Sequence, residues 1–247
     1  MEERGRIRSN GSGADAVFPQ AGAAGFIGVL VLDTQFPRLP GDVGHPGAFG
    51  GRARHRVVNG ARPSGVVTAE APLRASGLAA GFVREARALQ AQGATAITTS
   101  CGFLVLFQDE LQAAVQVPVV TSSLLQLPAL LASEQRVGVL TIDASNLGPG
   151  HLRCAGVPPG RLQDVVVQGV DPAGAFARGI LSDDPRMDMA AAGADVVAAA
   201  CALRERAPGL RVAVLECTNM PPHAGAATAA SGLRLLALGD DPRLRPL

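Results

Sequence analysis

Two of the four cysteines, Cys101 and Cys217, stand where a thiol could take part in acid–base chemistry. Each closes an apolar run that is typical of a buried strand, at residues 96–101 and 212–217, and each precedes a segment that could begin a helix. A helix N-terminus can lower the pKa of a thiol below its usual value of about 8.5 and stabilise the thiolate. Two such thiols facing each other across a cleft could remove a proton from one face of a carbon atom and return one to the other face. That chemistry is racemisation or epimerisation, and it requires no cofactor.

The same two cysteines end equivalent parts of an internal repeat. Residues 27–34 and 137–144 align without gaps and share Gly, Val, Leu and Asp at the same places. From the glycine of each octet to its cysteine there are 73 residues in the first copy and 79 in the second. Two matches in the same order indicate a duplicated unit. The repeat therefore favours a functional role for Cys101 and Cys217 over the usual role of a free cysteine as a small buried hydrophobe.

The elements that must position these thiols alternate along the chain between strands and helices. Continuous apolar strands separated by helices are typical of a parallel sheet with both faces covered. We predict an α/β protein of two similar Rossmann-like lobes with parallel sheets and pseudo-twofold symmetry. Its active site is expected in the cleft between the lobes, outside the carboxyl ends of the strands. Periodicity and composition predict helices near residues 76–93, 124–132, 172–181 and 185–206, and short strands at 117–121 and 164–168.

The first lobe is expected to comprise residues 25–130 together with 223–247, and the second residues 131–222. Residues 1–24 are rich in Gly, Ala and Ser with scattered charge, which predicts a disordered leader. Residues 36–51 form a Pro- and Gly-rich loop directly after the first strand. A loop of this length is either a lid over the site or a surface insertion, and the sequence favours neither.

Composition excludes several other classes of protein. The 247 residues carry 22 basic and 21 acidic side chains, which gives a net charge of +1. Such a balance produces no large positive field, which argues against nucleic acid or an anionic membrane as the main partner. Every basic residue is Arg, and the absence of Lys excludes Schiff-base chemistry. There is no Trp or Tyr to stack on single-stranded nucleic acid. No apolar run reaches the length of about 18 residues that predicts a membrane span. A small molecule is the expected partner.

The remaining cysteines and the histidines give weaker signals. Cys154 and Cys201 are expected to pack as small hydrophobes, and the chain has no CxxC pair and no histidine at a zinc-like spacing from a cysteine. No metal site is predicted. Disulfide frameworks belong to small secreted scaffolds, so we expect a reduced, cytoplasmic protein. Surface or packing roles are expected for His45, His55, His151 and His223, and a solvated strand face for Arg52, Arg54 and Arg56.

Three short motifs lie at the ends of the repeated strands. They are Asp33-Thr34, Thr-Ser-Cys101-Gly-Phe, and Leu-Glu-Cys217-Thr-Asn. Together they resemble the aspartate/glutamate/hydantoin racemase superfamily, from about residue 25 to residue 222. The resemblance implies a two-lobed α/β protein in which Cys101 and Cys217 are the acid/base pair, no cofactor is used and, by analogy with relatives, two copies form a homodimer. It also implies substrate contacts at the flanking residues, which are Asp33, Thr34, Gly102, Phe103, Thr218 and Asn219.

Several positions depart from the superfamily pattern. Gly102 and Phe103 stand where amino-acid racemases of this group usually have Asn and Thr, and Asn219 stands where glutamate racemases commonly have His. Ser100 and Glu216 precede the cysteines, where hydantoin racemases tend to have Gly. The substrate is therefore left open among aspartate, glutamate and related small carboxylates.

Polar residues at other strand ends are further candidates for binding a substrate. Thr121 and Ser122 follow a short strand, where their hydroxyl and N–H groups could either bind a carboxylate or cap the next helix. Thr141 lies in the second copy of the first strand and is a possible substrate contact. Glu216 is expected to point to the opposite side of its strand from the neighbouring cysteine if the pleat continues.

The expected activity is that of a cofactor-independent racemase or epimerase of a small carboxylate. Two alternatives remain open at this point. One is a maleate-isomerase-like or decarboxylase-like enzyme of the same superfamily, and the other is a non-catalytic two-lobed protein that only binds a small ligand. Replacement of Cys101 or Cys217 by Ser separates them, because it abolishes racemisation but leaves simple binding unchanged.

Overall fold

The computed structural model describes residues 25–245, so the leader predicted at residues 1–24 lies outside the described range. Within that range lie eight strands: β1 (Phe26–Leu32), β2 (Ala53–Val58), β3 (Ala94–Thr99), β4 (Val119–Val120), β5 (Val137–Thr141), β6 (Val165–Gly169), β7 (Val212–Leu215) and β8 (Arg234–Leu236). The α-helices are α1 (Ala48–Gly51), α2 (Pro63–Val66), α3 (Glu70–Ala75), α4 (Ala79–Ala91), α5 (Gln108–Ala114), α6 (Leu127–Ser133), α7 (Pro149–Cys154), α8 (Ala175–Leu181), α9 (Met189–Arg206) and α10 (Ala224–Ser231). Short 3-10 helices span Gly102–Phe107, Ser123–Gln126, Pro159–Asp164, Pro221–His223, Leu238–Asp240 and Pro242–Leu244.

The strands form two parallel sheets with the same internal order. The first sheet has the order β2-β1-β3-β4, and the second has the order β6-β5-β7-β8. Each central strand, β1 or β5, therefore pairs with the strand that ends in front of a cysteine, β3 or β7. Identical strand order is the structural counterpart of the sequence repeat. The prediction of a two-lobed α/β protein is confirmed.

The glycine shared by the two repeated octets has the same packing function in both copies. A β-carbon on Gly28 would lie 2.9 Å from Cδ1 of Leu89 in α4, and one on Gly138 would lie 2.8 Å from Cδ2 of Leu203 in α9. Glycine is therefore needed because a long helix lies directly against the central strand of each sheet. All seven residues of β1 are buried, as expected for a strand covered on both faces.

Several predicted helices begin or end at other residues than expected. The apolar run after Cys101 forms a 3-10 helix, Gly102–Phe107, and only then continues as α5. The long second-lobe helix begins at Met189 rather than near residue 185, because the Asp188 carboxylate accepts hydrogen bonds from the N–H groups of Ala190 and Ala191 and caps the helix there.

The last residues of the described chain contact both lobes. Strand β8 pairs with β7 and so extends the second sheet, whereas the prediction placed all of residues 223–247 in the first lobe. The 3-10 helix Pro242–Leu244 then packs against β3 and β4. Leu238 and Leu244 are buried in one cluster with Ile27 and Val29 of the first sheet. The predicted assignment is therefore wrong for β8, because β7 has a free edge that this strand covers.

One cluster of buried hydrophobic side chains runs through both lobes. It contains Leu30 from the central strand of the first sheet and Leu140 from that of the second, together with Phe103 and Phe176. The lobes therefore share a core in addition to the cleft between them. A helix of sufficient length and apolarity to cross a membrane is not found among residues 25–245.

Candidate active site

The two cysteines lie on the same cavity, at the carboxyl ends of their strands. Cys101 follows β3 and Cys217 follows β7, and both side chains are buried. The cavity has a volume of about 20 Å³, which is room for about one water molecule. This is far below the range of about 300–1,000 Å³ that is usual for small-ligand sites, so the covering segments must move apart to admit a substrate. Its walls are mostly apolar, and its lining comprises Leu32, Phe36, Arg38, Pro63, Val67, Ser100, Cys101, Ile142, Ile180, Glu216, Cys217 and Asn219. The predicted juxtaposition of the two thiols is therefore present.

Burial favours the protonated thiol of Cys101. Desolvation is the largest cause that raises its pKa well above the ordinary value, and the negative charge of Glu216 raises it further. The N–H groups of Phe103 and Leu104 and the positive charge of Arg38 act in the opposite direction. The contribution predicted from the helix start is thus present, but burial outweighs it. The expectation that this thiol has a lowered pKa is wrong.

The thiol of Cys217 is held in a similar state. Its pKa is raised well above the ordinary value, first by burial and then by the charge of Glu216, with smaller contributions from Cys101 and Asp42. The N–H of Asn219 lowers the pKa, and the thiol lies 3.6 Å from Oδ1 of the same residue. A thiolate formed here is a strong base, because the same environment that resists ionisation favours recapture of a proton.

Glu216 faces the cavity, contrary to the prediction. Strand β7 ends at Leu215, so the pleat that would have turned the next side chain away from Cys217 does not continue. Burial raises the pKa of the Glu216 carboxyl from 4.5 to about 7. Its Oε2 accepts a 2.7 Å hydrogen bond from Oγ1 of Thr141, whereas Oε1 is buried and has no hydrogen-bond partner among residues 25–245.

Part of the loop at residues 36–51 forms one wall of the site. Phe36 and Arg38 line the cavity, and the side chain of Asp42 is only 2% exposed. Nη1 of Arg38 lies 3.1 Å from each carboxylate oxygen of Asp42, and Nη2 donates to Oγ1 of Thr34 at 3.0 Å. The side chain of Asn219 donates a 2.5 Å hydrogen bond to the same Asp42 carboxylate. These contacts support the lid interpretation of the loop over the interpretation as a surface insertion.

A second connection holds the start of this loop to the other lobe. Asp183, directly after α8, has a φ of 56° and places Oδ1 within hydrogen-bond distance of the N–H groups of Gln35 (2.6 Å) and Phe36 (3.2 Å). Oδ2 of the same side chain accepts a hydrogen bond from Arg62 at 3.1 Å. The left-handed backbone is uncommon for a residue with a side chain, and it aims the carboxylate at the loop.

The other predicted contacts hold the site together without reaching the cavity. Thr218 donates to the carbonyl of Ser100 at 2.7 Å and so links the two cysteine-bearing turns. Thr141 donates a hydrogen bond to the Glu216 carboxylate, and Thr34 accepts one from the Arg38 guanidinium, so each positions a group that lines the cavity. A ligand in the cavity would be held by the groups that these residues position.

Five predicted contacts have structural roles instead. The Asp33 carboxylate lies 3.3 Å from the guanidinium of Arg62, outside the cavity lining. Thr121 donates to Oε1 of Gln108 at 2.7 Å, and Ser122 caps the next turn by accepting from the N–H of Leu124. Phe103 packs edge-on against His151 with ring centroids 5.0 Å apart. Gly102 is buried in contact with Glu216 rather than with open space in the cavity.

Sequence reasoning missed four polar or aromatic lining groups: Phe36, Arg38, Ser100 and Glu216. Glu216 carried a signal, since a carboxylate at the end of the run Val-Ala-Val-Leu must be buried and therefore needs a function or a partner. Arg38 carried none, because an arginine in a Pro- and Gly-rich loop is usually exposed. Among the described residues, no group of three His, Cys, Asp or Glu side chains is arranged to hold a metal ion.

Comparison with known proteins finds relatives that are named as enzymes. No protein-family model matches it. It is 30% identical over 238 residues to dimethylsulfoniopropionate lyase 7 of Emiliania huxleyi, a match that covers 88% of this chain and 68% of that protein. The chain belongs to the dimethylsulfoniopropionate lyase family. A second lyase of this family, dimethylsulfoniopropionate lyase 3 of the same organism, is 29% identical over 238 residues, and the chain spans 61% of its length.

Solved structures of other enzymes have the same fold as this chain. Unliganded arylmalonate decarboxylase matches with a TM-score of 0.56 at 17% identity, over 90% of this chain and 92% of that one. Glutamate racemase of Bacillus anthracis matches with a TM-score of 0.55 at 14% identity, over 89% of this chain and 79% of that one. The fold of the aspartate/glutamate racemase superfamily is confirmed. The comparisons do not confirm a racemase activity, since the relatives in sequence are lyases.

Proposed function

We propose that this chain is a lyase that releases dimethyl sulfide from dimethylsulfoniopropionate. Membership of the lyase family supports this proposal, and the observation that carries it is the pair of buried thiols, Cys101 and Cys217, on one small closed cavity. Because the chain spans only 61% to 68% of the first two relatives, their activity is a proposal for this chain rather than a property transferred to it.

The chemistry follows from the structure of the substrate. Dimethylsulfoniopropionate carries a carboxylate, an adjacent CH₂ and a second CH₂ that bears a positively charged dimethylsulfonium group. The thiolate of one cysteine removes a proton from the carbon next to the carboxylate, and the electrons of that C–H bond form the carbon–carbon double bond. The bond from the second carbon to sulfur breaks, and its electron pair leaves with sulfur. The products are acrylate, dimethyl sulfide and a thiol, and the thiol returns its proton to solvent before the next cycle.

The lining residues fit the charges of this reaction. Arg38 presents a guanidinium to the cavity and is fixed by Asp42 and Thr34, so it is suited to bind the carboxylate. Negative charge moves onto the carboxylate oxygens as the proton leaves, and a pre-positioned cation stabilises that charge. The raised thiol pKa values mean that a thiolate, once formed, is basic enough to attack a weakly acidic C–H bond.

The test is a direct assay of elimination. The protein is incubated with dimethylsulfoniopropionate, dimethyl sulfide is measured in the headspace by gas chromatography, and acrylate is measured by proton NMR. We expect both products in equal amounts, with no added cofactor. Absence of both products from a folded, monodisperse sample would overturn the proposal.

Racemisation is a second candidate, because elimination needs one base whereas the cavity holds two thiols. Proton NMR in D₂O with each enantiomer of aspartate and glutamate separates the two functions. Loss of the α-proton signal without formation of an alkene would favour the racemase, and acrylate formation from dimethylsulfoniopropionate without such exchange would favour the lyase.

A further inference from the structure

Two departures from the superfamily pattern, Gly102 and Glu216, form one structural feature. A β-carbon on residue 102 would lie within 3.0 Å of three atoms, the carbonyl oxygen and Oε1 of Glu216 and Oγ of Ser122, and closest to the two Glu216 oxygens. No real β-carbon is found at such distances. The carboxylate therefore occupies the space that a side chain at position 102 would need. The turn that carries Glu216 therefore requires a glycine at position 102, because both its carbonyl oxygen and its carboxylate leave no room for a β-carbon.

Only one of the two carboxylate oxygens of Glu216 accepts a hydrogen bond. Oε2 accepts from Thr141, but Oε1 has no hydrogen-bond partner among the described residues, although the side chain is only 1% exposed. A buried carboxylate oxygen without a partner is costly when charged. The Glu216 carboxyl is therefore stable in its protonated form, and its ionised form requires a nearby positive charge.

The charged and titratable groups around Glu216 do not supply that charge. Cys101 and Cys217 are neutral thiols at neutral pH because burial raises their pKa values, and Asp143, after β5, adds negative charge. Arg38 lines the same cavity, but its guanidinium is already paired with the Asp42 carboxylate. An ionised Glu216 thus gives the cavity an unbalanced negative charge beside apolar walls.

We propose that Glu216 binds the cationic end of the substrate and makes the site selective for short carboxylates that carry a sulfonium or quaternary ammonium group. An onium group has no N–H or S–H to donate, so a nearby negative charge and apolar contacts to its methyl groups are the interactions open to it. The cavity offers both, since Leu32, Phe36 and Ile142 line it with Glu216. This inference rests on the proposed function for its substrate class, and it adds the residue that recognises the leaving group.

The pairing has a signature in the pH dependence of binding. An onium ligand pairs with the ionised form of the Glu216 carboxyl, whose pKa is about 7. Below pH 7 the ligand must displace a proton, so each further pH unit weakens binding by about tenfold, and above pH 7 the affinity levels off. The thiols ionise far above this range, and the pKa of Asp143 is lowered, so neither accounts for a transition at pH 7.

The test is calorimetric titration with two ligands of the same shape. One is 3-(trimethylammonio)propionate, an onium compound with a poor leaving group, and the other is 4,4-dimethylpentanoate, in which carbon replaces the charged nitrogen. We expect the onium compound to bind at least fivefold more tightly at pH 8 than at pH 6. The isostere, whose tail carries no positive charge, should show no such rise. In Glu216→Gln both the pH dependence and the preference for the cation should be lost.

A second variant covers the case in which Glu216→Gln does not fold. Thr141→Val keeps the carboxyl but removes the hydrogen bond that lowers the pKa of Glu216, so the midpoint of the pH dependence should move above 7. An unmoved midpoint, or equal binding of the two ligands, overturns the inference. The outcome is separate from that of the proposed function. Selective onium binding without cleavage of dimethylsulfoniopropionate would refute only the lyase, and cleavage with an unchanged KM in Glu216→Gln would refute only the role of Glu216.

Discussion

The side-chain amide of Asn219 connects a cavity thiol to the covering loop. Its Nδ2 donates a 2.5 Å hydrogen bond to Oδ2 of Asp42, and its Oδ1 lies 3.6 Å from the sulfur of Cys217. Asp42 in turn pairs with Arg38, which lines the cavity. The position of the loop and the environment of the thiol are therefore linked through one residue, and removal of the Asp42 charge should affect both.

Asp42→Asn should weaken both the fold and substrate binding. The variant leaves the partly buried guanidinium of Arg38 without its counter-ion, which is expected to cost about 2 kcal/mol of unfolding free energy. Freed of its partner, Arg38 loses its fixed position, so KM for the carboxylate substrate should rise by about tenfold. Asp241→Asn is the matched control, since Asp241 is also buried and paired with an arginine, Arg243, but lies outside the cavity. A loss of stability with unchanged KM in both variants would contradict the link to the site.

Replacement of the two cavity cysteines by Ser should have unequal effects. Elimination needs one base, so one of Cys101→Ser and Cys217→Ser should lose about 10²–10⁴-fold in turnover, while the other retains a measurable rate. Cys201→Ser in α9 is the control and should retain full activity. Equal and complete loss in both variants would instead favour the two-base chemistry of a racemase. The measurement is the rate of acrylate formation by each purified variant.

Gly102→Ala tests the contact between the two cysteine-bearing turns. The new methyl group would displace Glu216 or the turn itself, and such overpacking is expected to cost about 1–3 kcal/mol of stability together with most of the activity. Gly209→Ala is the control, because a β-carbon there meets no atom within 4 Å. Chemical denaturation and the elimination assay on both variants give the two readouts. A Gly102→Ala variant of unchanged stability would show that the contact is loose.

Glu216 should impose a characteristic pH dependence on stability. Its carboxyl has a pKa of about 7 in the folded chain and an ordinary value of 4.5. Below pH 4.5 it is protonated in both states and favours neither. Between pH 4.5 and 7 the unfolded chain ionises while the folded chain stays protonated, so stability falls as the pH rises. Above pH 7 the loss is constant, at about 3 kcal/mol.

The comparison with Glu216→Gln isolates this effect from other titrating groups. His151 has the opposite influence, because burial lowers its pKa from 6.5 to about 4 and so makes the fold less stable as the pH falls through that range. The difference in unfolding free energy between the wild type and Glu216→Gln removes the contribution of His151. Between pH 4.5 and 7, the unfolding free energy of the wild type should fall relative to that of Glu216→Gln as the pH rises. A difference independent of pH would show that the carboxyl is not buried in solution.

The repeat predicted the fold and the cysteine pair because both depend on local pattern. Equivalent octets and equivalent cysteines are visible in the chain itself, and parallel strands bring their carboxyl ends to one edge. The rest of the site depends on where individual segments stop. Glu216 faces the cavity because β7 ends at Leu215, two residues before the end of the predicted strand, and Asp33 pairs with Arg62 instead of entering the cavity. The periodicity of the sequence predicts neither the residue at which a strand ends nor the partner of a surface carboxylate.

The covering loop was beyond prediction for a different reason. Its composition is that of a surface segment, and it is held down by two side chains from distant parts of the chain, Asp183 and Asn219, and by the neighbouring Thr34. Contacts of this kind form only once the two lobes are assembled. A single sequence shows the donors and acceptors but not their partners.

The path of the chain after α10 has a consequence for how the molecule unfolds. Strand β8 completes the second sheet, and the turn Pro242–Leu244 a few residues later packs on the first, while one hydrophobic core serves both. Neither lobe can melt without exposing the edge or the core of the other. Calorimetry should therefore record a single cooperative heat-absorption peak rather than two, and limited proteolysis should release no half-molecule that survives as a folded fragment.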